Sequence, residues 1–148
     1  MKSARRFVIA SDPHGDEQDD ETRKALFGFI KDFRPDIRIH GGDAFDFRNL
    51  RKGASDDEKA HSLEDDWTAG ADWMREFFDG GKQNHFLRGN HDERLWKFAD
   101  SATGLLRDYA NDGIKRVTAI VKQSKAKMLP YDSRLGVLRI GSLKVVHA

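Results

Sequence analysis

The run Arg6–Ala10, RFVIA, is β-branched and aromatic and stops at Ser11-Asp12-Pro13-His14-Gly15, a cluster of turn residues. A short strand is predicted, delivering Asp12 and His14 at its C-terminal end. From Glu17 the period changes: Leu26, Phe29, Ile30 and Phe33 recur at i, i+3, i+4, i+7, which predicts an amphipathic helix closed by Pro35. The acidic run Asp16–Glu21 lies at its start, where the helix macrodipole alone favours carboxylates. Ile37 and Ile39 mark a second strand ending at Gly41-Gly42-Asp43, and the order strand, helix, strand implies a parallel sheet. Ser55 with Glu58 forms a capping box ahead of a long helix whose apolar face carries Leu63, Trp67, Ala71, Met74 and Phe78. Gly80-Gly81 ends that helix, and Asn84–Arg88 is a third strand running into Gly89-Asn90-His91-Asp92. Three short helices are expected beyond Arg94, with Gly104 and Gly113 as the breaks. Met128–Tyr131 reads as extended, and Gly136–Ile140 with Leu143–His147 as a hairpin joined across Gly141-Ser142.

The length, 148 residues, fits a single domain spanning residues 1–148. Charged residues make up 34% of the chain, above the roughly 25% of an ordinary globular domain, so a highly charged surface is expected. Phe7–Ala10 is the longest apolar stretch, far short of the roughly 18 residues that span a bilayer. A cytoplasmic location without membrane contact is the corresponding expectation. The net charge of +1 disfavours strong non-specific DNA binding, which needs a concentrated basic face. With no cysteine, thiolate metal sites and thiol nucleophiles are excluded together, and any metal must be held by His, Asp, Glu or Asn.

Three strands thus end in three polar turns: Asp12-Pro13-His14-Gly15, Gly42-Asp43-Ala44-Phe45-Asp46 and Gly89-Asn90-His91-Asp92. Ligands of open α/β sheets bind at the carboxyl ends of strands. Side by side, these turns offer carboxylate, imidazole and amide donors to hard or borderline divalent cations. Singly each turn is unremarkable, since Asp and Asn favour turns for local reasons. Their order after three strands is what carries information.

In these blocks the sequence resembles the calcineurin-like metallophosphoesterases, whose motifs run D-x-H, G-D-x-x-D, G-N-H-D/E, an isolated His after a strand, then G-H-x-H. Asp12/His14, Asp43/Asp46 and Asn90/His91/Asp92 match the first three, and His147 matches the fourth. The resemblance implies an α/β fold, a β-sandwich flanked by helices. Because the G-H-x-H block would follow His147 and the chain stops at Ala148, a truncated sandwich with an incomplete second sheet is expected, along with a metal shell short of two histidines. Water or a second subunit would fill those positions; His40, just before the second turn, is more simply a core histidine satisfied by a hydrogen bond.

Carried across, the resemblance implies two divalent ions, of Mn, Fe, Zn, Ni or Mg, with Asp12 and His14 on one, Asn90 and His147 on the other, and Asp43 bridging. Asp46 is a supporting residue. His91 would protonate the leaving alkoxide and Asp92 would orient its imidazole. Arg94 and Arg48 are the candidate contacts to a non-reacting phosphate oxygen. The implied activity is hydrolysis of phosphodiesters and/or phosphomonoesters by a metal-bridged hydroxide; the alternative is a catalytically weak or inactive remnant acting as a binding or interaction module. Nucleic acid would suit the same metals as a substrate, but the near-neutral charge does not favour it. An incomplete second sheet would leave the hairpin residues Val137, Leu138, Ile140, Leu143, Val145 and Val146 apolar and unpaired at an edge, so a homodimer or higher oligomer is expected.

Overall fold

The computed structural model describes residues 5–147, so residues 1–4 and 148 of the expected domain lie outside the described residues. Four strands, β1 (Phe7–Ala10), β2 (Ile37–His40), β3 (Gln83–Leu87) and β4 (Ala126–Leu129), form one parallel sheet in that spatial order. Parallel neighbours need a crossover, and each connection supplies helix. α1 (Asp20–Phe33) joins β1 to β2; α2 (Asp56–Ala60) and α3 (Leu63–Phe78) join β2 to β3; α4 (Glu93–Ser101) and α5 (Gly104–Gln123) join β3 to β4. The chain then makes the expected hairpin, β5 (Leu138–Ile140) with β6 (Leu143–Val145), as a separate antiparallel pair.

Period-two alternation assigns each face of the sheet. Val8 and Phe86 point to the helices and meet Trp67, Trp73, Met74 and Phe77 of α3 together with Val117, Ile120 and Val121 of α5. Ile37, Ile39, Leu87 and Leu129 point the other way and are covered by Leu138 and Val145 of the hairpin. This is the two-layer arrangement of a sandwich with helices on one side. The hairpin therefore corrects one expectation: Leu138 and Val145 are buried on the sheet, and the bare apolar side chains on that side of the sheet include Phe7 and Ile9 of β1, which are 43% and 42% exposed. Leu143 and Val146 stay exposed as well.

Two helix expectations also change. The Ser55–Glu58 capping box forms, but it starts the five-residue α2; the chain leaves the helix at His61, and Ser62 caps α3 separately by accepting the Glu64 N–H. Gly113 breaks nothing. It lies inside the single 20-residue α5, where a Cβ would stand 3.2 Å from Leu95 and 3.3 Å from Trp67. The glycine marks a close approach between helices, which a linear pattern reads as a stop.

His40, on β2, is a core histidine. Its Nδ1 accepts the Gly42 N–H at 3.1 Å, and its ring packs against Trp73, Phe86 and Phe77 at centroid distances of 4.8, 5.2 and 6.1 Å. Burial, with a smaller contribution from His147, pushes its pKa down to about 3. The unfolded chain thus binds a proton here between about pH 6.5 and 3 that the folded chain refuses, so this residue's contribution to stability falls as pH drops through that window. We expect acid unfolding on the order of 4 kcal/mol steeper than in His40→Gln, which keeps an acceptor but does not titrate. Parallel denaturant titrations from pH 7 to 3.5 with equal slopes would reject this account.

Candidate metal centre

The carboxyl ends of β1, β2 and β3 meet at one edge of the sheet, and the turns that follow are bonded to one another. The β1–β2 ladder continues past its strands through Gly41 N–H to Ala10 O, Asp12 N–H to Gly42 O, His14 N–H to Asp43 O and Gly15 N–H to Ala44 O, at 2.8 to 3.1 Å. Holding donors in this register requires unusual backbone. Of six described non-glycine residues with positive φ, Asp12 (61°), His14 (52°) and Asp43 (54°) lie in the first two turns and Phe47 (48°) directly follows the second. Left-handed backbone costs an ordinary residue about 1 kcal/mol, and such outliers gather where a site over-determines the chain.

Two buried carboxylates hold these turns. Asp92 accepts N–H groups from Asp43 (2.8 Å), Gly89 (2.8 Å) and Phe45 (3.1 Å), locking the second turn to the third. Asp66, on α3, accepts those of Asp46 (3.0 Å) and Phe47 (2.7 Å). Burial raises both carboxyls, against the pull of their amide donors, to about 7 for Asp92 and about 6 for Asp66. Gly89 lies so close to the second turn that a Cβ there would overlap the Asp43 carboxylate.

The expected ligands converge on Asp43. Its Oδ2 is 3.8 Å from His14 Nε2 and 3.6 Å from His147 Nε2. His14 Nε2 is also 3.8 Å from an Asp12 oxygen, and His147 Nε2 is 2.9 Å from Asn90 Oδ1. Donors about 2.0 to 2.2 Å from one ion stand roughly 3 to 4 Å apart, so these spacings suit a shared cation. The hydrogen bonds on the far ring atoms agree. His147 Nδ1 donates to the Gly41 carbonyl at 2.8 Å, which turns Nε2 toward the Asn90 and Asp43 oxygens, the orientation in which it can serve as a metal ligand. His14 Nδ1 faces Asp46 at 3.0 Å and leaves Nε2 toward Asp12 and Asp43. That hydrogen bond, reinforced by the fields of Asp43, Asp46 and Asp12, raises the His14 pKa. The donors present fit hard or borderline divalent cations.

Asp46 organises the remaining groups. One oxygen takes both His14 Nδ1 and His91 Nδ1, at 3.0 and 2.9 Å, and the other faces Arg48 Nε at 3.2 Å. Burial opposes its ionisation, but the bonds from His14 and His91 prevail and hold the carboxyl at about 2. The expectation that Asp92 orients the His91 imidazole is therefore corrected: both Asp92 oxygens are taken by backbone amides, and the ring rests on Asp46. Arg94 donates to His91 Nε2 at 3.1 Å and to the Asp46 carbonyl at 2.8 Å. Arg48 is engaged by Asp16 (2.6 Å) and Glu17 (2.9 Å) and approaches the centre only at Asp46.

Asp66 is the residue that sequence reasoning passed over. Its signal was available, since it sits one position from Trp67 on the apolar side of α3, where an unexplained carboxylate needs buried donors. Tyr131 also went unremarked; its ring centroid is 6.0 Å from that of His147.

A model of the calcineurin-like phosphoesterase family matches residues 5–143. The Gene 54 protein of Mycobacterium phage D29 is 30% identical over 114 residues, covering 73% of this chain and 44% of that protein. The chain thus spans less than half the length of that relative. With the family's ordered blocks brought to one sheet edge and the match running over almost every residue, this chain belongs to the calcineurin-like phosphoesterase family.

Proposed function

We propose that the chain is a metal-dependent phosphoesterase acting on phosphodiesters and/or phosphomonoesters, with Asp12, His14, Asp43, Asn90 and His147 as the metal ligands. The observation that carries the reading is the meeting of carboxylate, imidazole and amide donors around one Asp43 oxygen at the open edge of the sheet. Among the described residues each cation would have three protein donors, and catalytic sites, unlike structural ones, keep positions open. Two such ions, when bound, supply acidified water and neutralise the phosphoryl oxygens. Manganese, iron, zinc, nickel and magnesium all suit mixed oxygen and nitrogen donors.

His91 acts on the leaving oxygen. Its Nδ1 is anchored on Asp46, which leaves Nε2 as the ring nitrogen that would carry a proton to that oxygen. Arg94, now on that nitrogen, is placed to exchange it for a phosphoryl oxygen, while Arg48 reaches the centre only through Asp46. His91→Ala is expected to lower kcat by roughly 10²-fold or more for a poor leaving group and by much less for p-nitrophenolate, with a small change in KM. Equal losses across leaving groups would remove this role from His91. The reading as a whole is tested by metal-supplemented hydrolysis of bis(p-nitrophenyl) phosphate and p-nitrophenyl phosphate. Bound metal with no turnover of either ester would favour the non-catalytic alternative.

We also propose that the chain self-associates as a homodimer through the bare strip of Phe7 and Ile9 beside the hairpin. Light scattering at micromolar concentration should give twice the chain mass, and Phe7→Lys should return it to the monomer; a monomeric parent would end this proposal. No helix among the described residues is long and apolar enough to cross a membrane.

A further inference from the structure

We infer that the cleft running from the metal turns across the start of α1 receives the leaving alcohol of the ester, and that it takes an uncharged ring of aryl or nucleoside size. This rests on the phosphoesterase reading above and narrows its substrate class. The cleft has a volume of about 430 Å³, and Asp12, His14, Asp46 and His91 lie along it. A group leaving from phosphorus at the centre therefore enters it while still within reach of His91.

Its lining selects by polarity. Half-buried Leu26 and the indole of Trp73 give it an apolar floor. Gln18 and Arg23 form a wall whose polar groups already have partners. The Gln18 amide donates to Gly15 O at 2.8 Å and accepts from Arg23 at 3.0 Å, while the other arm of Arg23 pairs with Glu76 at 2.7 Å. The wall is thereby pre-organised and offers no free cation. Glu17 and Asp19 stand on the cleft's rim, and Asp12 and Asp46 lie at its inner end. A second phosphate, as in a continuing polynucleotide strand or a diphosphate, would meet the exposed carboxylates of Glu17 and Asp19 and be repelled, whereas Asp46 is already paired with His14, His91 and Arg48. A flat neutral ring instead buries apolar area on half-buried Leu26, with the 3% of Trp73 that stays exposed beside it.

Thr22 lines the cleft with an exposed side chain and contributes only its backbone N–H to the α1 cap, so Thr22→Arg fills the space without touching the core or the centre. The first readout is independent of metal: amide NMR shifts of metal-free protein titrated with adenosine, benzyl alcohol or ribose. The two ring compounds, adenosine representing nucleosides and benzyl alcohol aryl alcohols, should shift amides in Gly15–Leu26 saturably. Ribose should not, and Thr22→Arg should abolish the effect. The second readout is hydrolysis by manganese-loaded protein. Thr22→Arg should lower kcat/KM about tenfold for p-nitrophenyl phosphate and adenosine 5′-phosphate and leave glycerol 2-phosphate unchanged. Ring compounds that shift no cleft amide, an equal loss on all three esters, or tighter binding of a dinucleotide than of adenosine would overturn the inference. Cleft binding by rings in a protein that hydrolyses no ester would uphold the pocket and overturn the phosphoesterase reading.

Discussion

Asp43→Asn is expected to abolish measurable hydrolysis, with a fall of about 10³-fold or more, and to remove at least one metal from the protein. Asp43 is nearly fully buried, with one oxygen fixed by the His91 N–H at 2.8 Å and the other between His14 and His147. The amide retains the shape and one acceptor but carries no charge. If its oxygen stays on His91 N–H, its NH₂ group points at the space the ligands share and excludes a cation by both charge and hydrogen position. If it flips, the His91 N–H loses its acceptor and the third turn is released. Either orientation disables the centre, so the loss should not be rescued by excess manganese. Calorimetric metal titration beside an assay on bis(p-nitrophenyl) phosphate is the test. Unchanged stoichiometry with a rate within a factor of about ten of the parent would show that Asp43 does not bridge two ions.

The parts of this molecule legible from its sequence are those written in local chemistry. β1 announces itself by a short apolar run, β2 by the alternation of Ile37 and Ile39 and β3 by Phe86-Leu87 at its end, each stopping at Asp, Asn or Gly, and the three polar turns follow from the same residues. That these turns lie side by side is a consequence of parallel pairing, which strand and helix order already implies. What the sequence hides are relations between distant positions. Gly113 resembles a helix break until Leu95 and Trp67 are seen pressing on it from other helices. The Asp46–His91 contact joins positions 45 residues apart, whereas Asp92 adjoins His91 in the chain and so invites the wrong pairing. Along a turn, neighbouring side chains diverge: His91 faces the open centre while Asp92 turns inward to the backbone of two turns. Asp66 is hidden for the same reason, its partners being amides of a turn 19 and 20 residues away.

That inward carboxylate leads to the second large effect, on stability. Asp92→Ala is expected to destabilise the metal-free protein by about 3 kcal/mol, because the N–H groups of Asp43, Phe45 and Gly89 lose their acceptor inside the fold and each buried orphan costs about 1 kcal/mol or more. For a chain of this size the melting temperature should fall by roughly 10 °C. The three amides also aim the second and third turns at each other, so metal affinity should drop by about 10 to 100-fold even though Asp92 is outside the ligand set. The gap between parent and variant should depend on pH in a definite sense. Burial raises the Asp92 carboxyl to about 7 in the folded chain, above its ordinary value of 3.8, so between those values the folded state holds the proton more tightly. Its contribution to stability is greatest at the acidic end and declines as pH rises toward 7, so the parent's advantage should be wider at pH 5 than at pH 8. Asp92→Asn, which keeps one acceptor oxygen for part of the set, should lie between the two and show no such pH dependence of its own. Denaturant curves for the three proteins at both pH values decide the matter. An alanine variant as stable as the parent, or a gap that widens toward pH 8, would mean that the turns are held together by something other than this carboxyl.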